Sequence, residues 1–178
     1  MAAPGRHLVL VSGAPGSGQE TLARPLAAEL GFVLLSKDQI KETLHDALGA
    51  PPPDRAWSRR LGAAAMELLW ALAAGTREVV LEANFRPYSA YERGRISALC
   101  PRPVEVNCLC PSQLAARRYA ERAPAGHPVH VVKSLSLEQY AEYDRPVGLG
   151  ELITVDTTAP VSVPALAGLV RARLQGSA

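Results

Sequence analysis

The chain has 178 residues, 48% hydrophobic and 20% charged, with a formal net charge of +2. That is enough apolar material for one domain with a sizeable core, and too little for two. No long block of one charge sign occurs, so nucleic acid is not an expected partner, and no apolar run approaches the ~18 residues that span a bilayer, so neither is a membrane.

The N-terminus lacks the basic, apolar, small-residue order of a signal peptide. Three cysteines, Cys100, Cys108 and Cys110, fit reduced thiols. Both features predict a cytoplasmic protein without disulfides.

In chain order, His7 to Ser12 reads as a strand, and the unbroken apolar run Leu8-Val9-Leu10-Val11 predicts burial on both faces, hence a central position. A glycine-rich turn leads into a helix over Gly18 to Leu30, stopped at Gly31. Strand Phe32 to Ser36 and helix Lys37 to Leu48 follow, then the short Pro51 to Pro53 run and a helix over Arg55 to Ala74. Its tryptophans, Trp57 and Trp70, read as packing residues.

Strand Glu78 to Ala83 precedes a helix over Tyr88 to Leu99, and strand Val104 to Leu109 ends in Cys108-Leu109-Cys110. Alternation puts both cysteines on one face as small buried residues. Helix Ser112 to Ala123 leads into a segment to Lys133 broken by Pro124, Gly126 and Pro128, read as irregular and as a mobile lid. Ser136 with Gln139 forms a capping-box pattern opening a helix to Asp144. Strand Leu152 to Asp156 and helix Pro164 to Leu174 close the chain. Strands alternating with helices predict an α/β protein with a parallel sheet covered on both faces.

Chemistry concentrates first in Gly13-Ala14-Pro15-Gly16-Ser17-Gly18-Gln19-Glu20-Thr21, where a buried strand hands over to a helix. A loop closing on a helix N-terminus gathers backbone N–H groups and the positive end of the helix dipole, so phosphate oxygens are favoured there. The segment resembles the phosphate-binding loop of P-loop kinases, Gly, four residues, Gly, Lys, then Ser or Thr. Gln19 stands at the lysine position and Glu20 at that of the magnesium-binding hydroxyl, so the loop reads as a degenerate Walker A motif.

Losing the charge-assisted bond forfeits roughly 1 kcal/mol or more. A carboxylate about 4 Å from a phosphate costs up to about 4 kcal/mol at an effective dielectric near 20. Either the loop binds nucleotide weakly or Glu20 ligates the metal itself, as carboxylates do for magnesium. Equally, Glu20 fits a helix first turn and an i,i+4 pair with Arg24. Pro25 lies inside the same helix, costing about 3 kcal/mol unless a kink absorbs it.

The resemblance extends along most of the chain to small kinases of the AAA-type P-loop group, which are similar to chloramphenicol phosphotransferase, zeta toxin and gluconate kinase. It implies a single three-layer α/β/α P-loop kinase fold over 1–178, with a five-stranded parallel sheet and a short helical lid at about 112–133. ATP and Mg2+ are the implied cofactors, and a small hydroxylated molecule the implied substrate.

Gly13, Ala14, Pro15, Gly16, Ser17, Gly18, Gln19, Glu20 and Thr21 would hold nucleotide, with Arg117 and Asp156 beside it. Asp38, after the second strand, matches the position of an Asp that accepts the substrate hydroxyl proton. The alternative there is a helix N-cap, with Lys41 and Glu42 solvated. Glu82 joins Glu20 as a metal-serving carboxylate. Arg86 and Tyr88 would contact substrate, although Arg86 also reads as a solvated loop arginine. Arg118 and Arg122 would cross the phosphates when the lid closes, or form a plain basic surface helix. His127 and His130 lack the acidic or thiol company of a zinc site.

The leading expectation is therefore a kinase, monomeric or homodimeric. Its rival is a nucleotide-binding module without turnover, serving regulation or interaction.

Overall fold

The computed structural model describes residues 6–49, 54–143 and 145–176. Pro51 to Pro53 and Asp144 lie outside them.

Five strands, β1 (His7–Gly13), β2 (Val33–Ser36), β3 (Glu78–Glu82), β4 (Val104–Leu109) and β5 (Glu151–Asp156), form one parallel sheet in the order β2-β3-β1-β4-β5. β1 is central because its sequence is apolar on both faces. Val9 and Val11 pack with Leu22 and Leu26 of α1 (Gln19–Leu30) and with Leu166 and Val170 of α7 (Val163–Gly176). Leu8 and Leu10 point the other way, to Leu69 and Trp70 of α3 (Arg55–Ala74) and Ile96 of α4 (Ala90–Leu99). The two-residue period of a strand thus divides one run of apolar side chains between two cores. α2 (Lys37–Ala47) packs on α3. This is the covered parallel sheet that the sequence pattern predicts and the three-layer α/β/α architecture that the resemblance implies.

From β1 the chain crosses to β2 on one side, and β4 and β5 add on the other, so the order reverses beside β1. In open α/β sheets, ligands bind in the crevice at the strand C-termini where this reversal occurs. Those ends carry Gly13, Ser36, Glu82 and Asp156.

Glu105, the second residue of β4, is 1% exposed. Its carboxylate accepts hydrogen bonds from Ser12 Oγ at 2.6 Å and from the amides of Val147 and Gly148, both at 2.8 Å. A buried anion is tolerated where such donors surround it. Here it fastens the segment before β5 to the sheet.

Several boundaries differ from expectation. α1 ends at Leu30 as expected, running through Pro25 on its exposed side, but starts at Gln19 with Gly18 as its cap. α4 starts at Ala90, because the Ser89 side chain caps the amide of Glu92. Ser136 and Gln139 do form a capping box, but α6 (Leu137–Tyr140) is a single turn continued by a 3-10 turn, Ala141–Tyr143. Cys108 is buried and its thiol is pushed up to about 12 by burial. Cys110 follows the end of β4 and is only half-buried, so the two do not share one buried face. Trp70 packs on Phe85 at 5.9 Å, whereas Trp57 is half-buried and donates its indole N–H to His45. Among the described residues, no helix is long and apolar enough to cross a membrane.

Candidate active site

The glycine-rich turn leaves β1 and closes on α1. Gly16 has φ +82°, and a Cβ there would lie 2.2 Å from the carbonyl oxygen of Ala115 on α5 (Ser112–Arg122). Only glycine accepts both the left-handed backbone and that approach. Gly18 caps α1 with φ 93° and no side-chain hydrogen bond, which leaves the first-turn amides for a ligand.

Two side chains steady the loop from outside. Thr157 Oγ1 lies 2.5 Å from the carbonyl oxygen of Ser17 and 3.0 Å from that of Leu109, and Asn84 Nδ2 donates to the carbonyl of Gly13 at 3.2 Å. Gln19 is buried and folds back onto the loop, accepting from Ser17 Oγ at 2.8 Å.

Charge at the loop comes from elsewhere. Arg122, in the last turn of α5, places Nη1 3.4 Å from Glu20 Oε2. Glu20 does not pair with Arg24, whose guanidinium reaches Gln39 instead. Glu20, Ser36, Glu82 and Arg122 line one cavity of about 480 Å³. Glu82 is 4% exposed and accepts from Ser36 Oγ at 2.7 Å. Burial pushes its carboxyl up to about 7; the Ser36 hydrogen bond opposes this, and the charges of Asp38 and Glu20 add to it.

Among the described residues no cluster of three or more His, Cys, Asp or Glu could hold a metal by itself. Two carboxylates beside a phosphate cradle nevertheless fit magnesium, which takes one or two protein oxygens and completes its shell with phosphates and water.

The far side of the site begins at Ser36, whose hydroxyl caps α2 by accepting from the amide of Gln39. Asp38 is therefore not the cap. It lies in the first turn, its Oδ1 2.5 Å from Lys37 Nζ. Burial acts to raise its pKa, but Lys37, with help from His130 and Lys41, holds it below the ordinary carboxylate value. Lys41 and Glu42 are not solvated as the alternative reading had them. Lys41 is buried and donates to Ser58 Oγ at 2.8 Å, and Glu42 meets His130 Nε2 at 2.8 Å.

Lys37, Asp38, Lys41, Glu42, Ser58 and His130 open on a second cavity of about 600 Å³ that also takes in Pro15, Glu20, Asn84, Arg86 and Arg122. Its roof is the segment after α5. That segment is irregular beyond a 3-10 turn at Ala123–Ala125 and is tied down by Tyr119 Oη to the carbonyl of Val132 and by Lys133 Nζ to that of Ala123.

Not every sequence-predicted residue converges here. Arg117 points outward and pairs with Glu121 at 3.7 Å. Arg118, a helix turn before Arg122, donates to the carbonyls of Thr157 and Thr158 instead of facing the loop. Asp156 accepts from the amide and hydroxyl of Thr158, shaping the turn after β5. Tyr88 is exposed, with the Arg145 guanidinium 4.2 Å above its ring. Arg86 lines the cavity but is held by Glu92 and Glu142.

Sequence reading missed Thr157, Asn84, Ser36 and Lys41. Ser36 alone had a local signal, a serine three residues before a glutamine at a helix start.

The family model described as AAA domain matches residues 8–146, and the chain belongs to that family. A protein of provisional kinase assignment from Chloroflexus aurantiacus j-10-fl is 31% identical over 94% of this chain and 98% of its own, with a TM-score of 0.80. The APS kinase of Mycobacterium tuberculosis, solved with AMPPNP and APS, shares the fold at 20% identity and TM-score 0.61, covering 97% of this chain and 99% of that one. Shikimate kinase from Acinetobacter baumannii, solved with shikimate, does so at 17% and 0.57, covering 97% and 94%. No curated protein matches the chain. The molecule is thus a P-loop protein with the fold of small-molecule kinases.

Proposed function

We propose that the chain binds ATP with magnesium and transfers the γ-phosphoryl group to a hydroxyl of a small molecule. The observation that carries this reading is that the end of the phosphate loop, at Pro15 and Glu20, and the Asp38 carboxylate open on one cavity of about 600 Å³. Donor and acceptor can meet there in line, and positioning is most of what phosphoryl transfer requires.

The amides of the 13–21 loop hold the phosphates of the donor. Magnesium, when bound, offsets charge on the phosphate oxygens, and Glu20 and Glu82 are the carboxylates to serve it. Asp38, already ionised and with Oδ1 fixed by Lys37, orients the acceptor hydroxyl and takes its proton as the new P–O bond forms. The bond from the γ-phosphorus to the bridging oxygen breaks, and ADP leaves. Arg122 supplies positive charge where a loop lysine is missing, and residues 112–133 act as the lid that carries it.

A second reading, nucleotide binding without turnover, is favoured by Gln19 folding onto the loop and by Glu20 engaging Arg122. Calorimetric titration with ATP and a non-hydrolysable analogue, each with and without magnesium, tests both. Binding strengthened by magnesium, followed by ADP release with a hydroxylated acceptor, supports the kinase. Binding without turnover leaves the module, and no binding at millimolar nucleotide removes both. Replacing Gln19 by Lys together with Glu20→Ser separates them further, since loss of activity marks Glu20 as part of a working site and gain of activity marks the natural loop as silenced.

A further inference from the structure

We propose that the acceptor carries a carboxylate or phosphate group and that Lys41 receives it. This rests on the kinase reading and narrows its substrate class.

Three other cations of the acceptor cavity already face carboxylates. Lys37 lies against Asp38, Arg122 against Glu20, and Arg86 against Glu92 and Glu142. Lys41 differs. It lines the cavity and is only 6% exposed, and its hydrogen bond goes to a neutral hydroxyl, Ser58 Oγ. An ammonium has three N–H donors, and one hydroxyl engages only one of them. A cation removed from water without an opposing charge is costly, and an apolar side chain would bridge α2 to α3 at less expense.

Two nearby carboxylates raise the affinity of Lys41 for its proton without compensating it, because Asp38 Oδ1 is engaged by Lys37 and Glu42 Oε1 by His130. Burial, reinforced by Lys37, lowers the ammonium to about 8, so an anion entering from the cavity is the missing partner.

Lys41 follows Asp38 by three residues on α2, and such positions share a helix face with Cβ atoms roughly 5–6 Å apart. The anionic group therefore sits close to the hydroxyl under attack, as in a short hydroxy acid or a sugar phosphate. Lys133, the other lysine of the cavity not held by a carboxylate, is exposed at its rim and donates to a carbonyl, so it adds attraction without fixing position.

The test uses the full chain without nucleotide, so that it fails independently of the kinase reading. Gluconate is compared with glucitol, and glucose 6-phosphate with glucose, at fixed ionic strength in chloride. Affinity is read by calorimetry, and the ionisation of Lys41 by NMR of 13C-labelled lysine side chains.

The charged member of at least one pair is expected to bind about tenfold or more tightly than its neutral counterpart at pH 7 and to raise the Lys41 pKa. Its advantage should fade above pH 8, as the ammonium is lost. Lys41→Met should abolish the difference, whereas Ser58→Ala, which removes only the tie between helices, should preserve it. An unchanged Lys41 titration in both anions, or an undiminished preference in Lys41→Met, overturns the proposal. Absence of ATP binding would instead count against the kinase reading alone.

Discussion

Arg122, closing α5, stands 3.4 Å from Glu20, opening α1, across 102 residues of sequence. A carboxylate in the phosphate loop would repel a nucleotide, and this guanidinium both offsets it and brings a cation to the loop mouth. This exposed pair joins the glycine-rich loop to the helix that follows β4.

Arg122→Ala is expected to lower phosphoryl transfer about 100-fold or more, the scale at which a transition-state arginine acts. Stability should change by less than about 1 kcal/mol, because the Arg122–Glu20 pair is exposed. Steady-state ADP release and urea unfolding of the same variant check the two halves. A large loss of stability with unchanged turnover would contradict the assignment.

Gly16→Ala combines a left-handed backbone with a Cβ driven into the Ala115 carbonyl. Backbone strain of this kind costs about 1–3 kcal/mol before the clash is counted. The variant should lose nucleotide binding together with several degrees of melting temperature. Gly62→Ala, where a Cβ meets nothing within 4 Å, should keep both.

Glu82 gives the fold a pH dependence of known sign. Its folded-state pKa, about 7, lies above its ordinary value of 4.5, so the folded protein binds the extra proton between these limits. The stability this contributes is full below the ordinary value and is lost as pH rises through about 7, on the order of 3 kcal/mol in all. Glu82→Gln keeps an acceptor for Ser36 and cannot ionise. Urea unfolding should therefore show the variant more stable than wild type at pH 8.5, with that advantage vanishing below about pH 4.

Glu105→Gln should be the most disruptive isosteric change in the sheet. One of the two oxygens that accept from Ser12, Val147 and Gly148 becomes a donor group, leaving unpaired either the N–H of buried Val147 or that of Gly148 at the surface. A loss of about 2–4 kcal/mol by urea unfolding follows. Nucleotide affinity should survive wherever the protein remains folded.

Much of this molecule is written locally. The apolar run Leu8 to Val11, the alternation of strand and helix, the glycines before α1 and the aspartate after β2 each report on a few neighbouring residues, and backbone periodicity is a short-range property. They are enough to predict the parallel five-stranded sheet, the phosphate loop and a place for Asp38.

What tertiary structure alone decides is which side chains meet. The serine that satisfies Glu82 is 46 residues away, and the threonine that steadies Ser17 is 140 away. Lys41 reads as a solvated helix residue until α3 packs over it, and Arg117, Arg118 and Arg122, three near-equivalent arginines in sequence, face solvent, the turn after β5 and the phosphate loop respectively. No local pattern encodes such differences, because burial and partnership are set by elements that come together only when the sheet order β2-β3-β1-β4-β5 closes around the site.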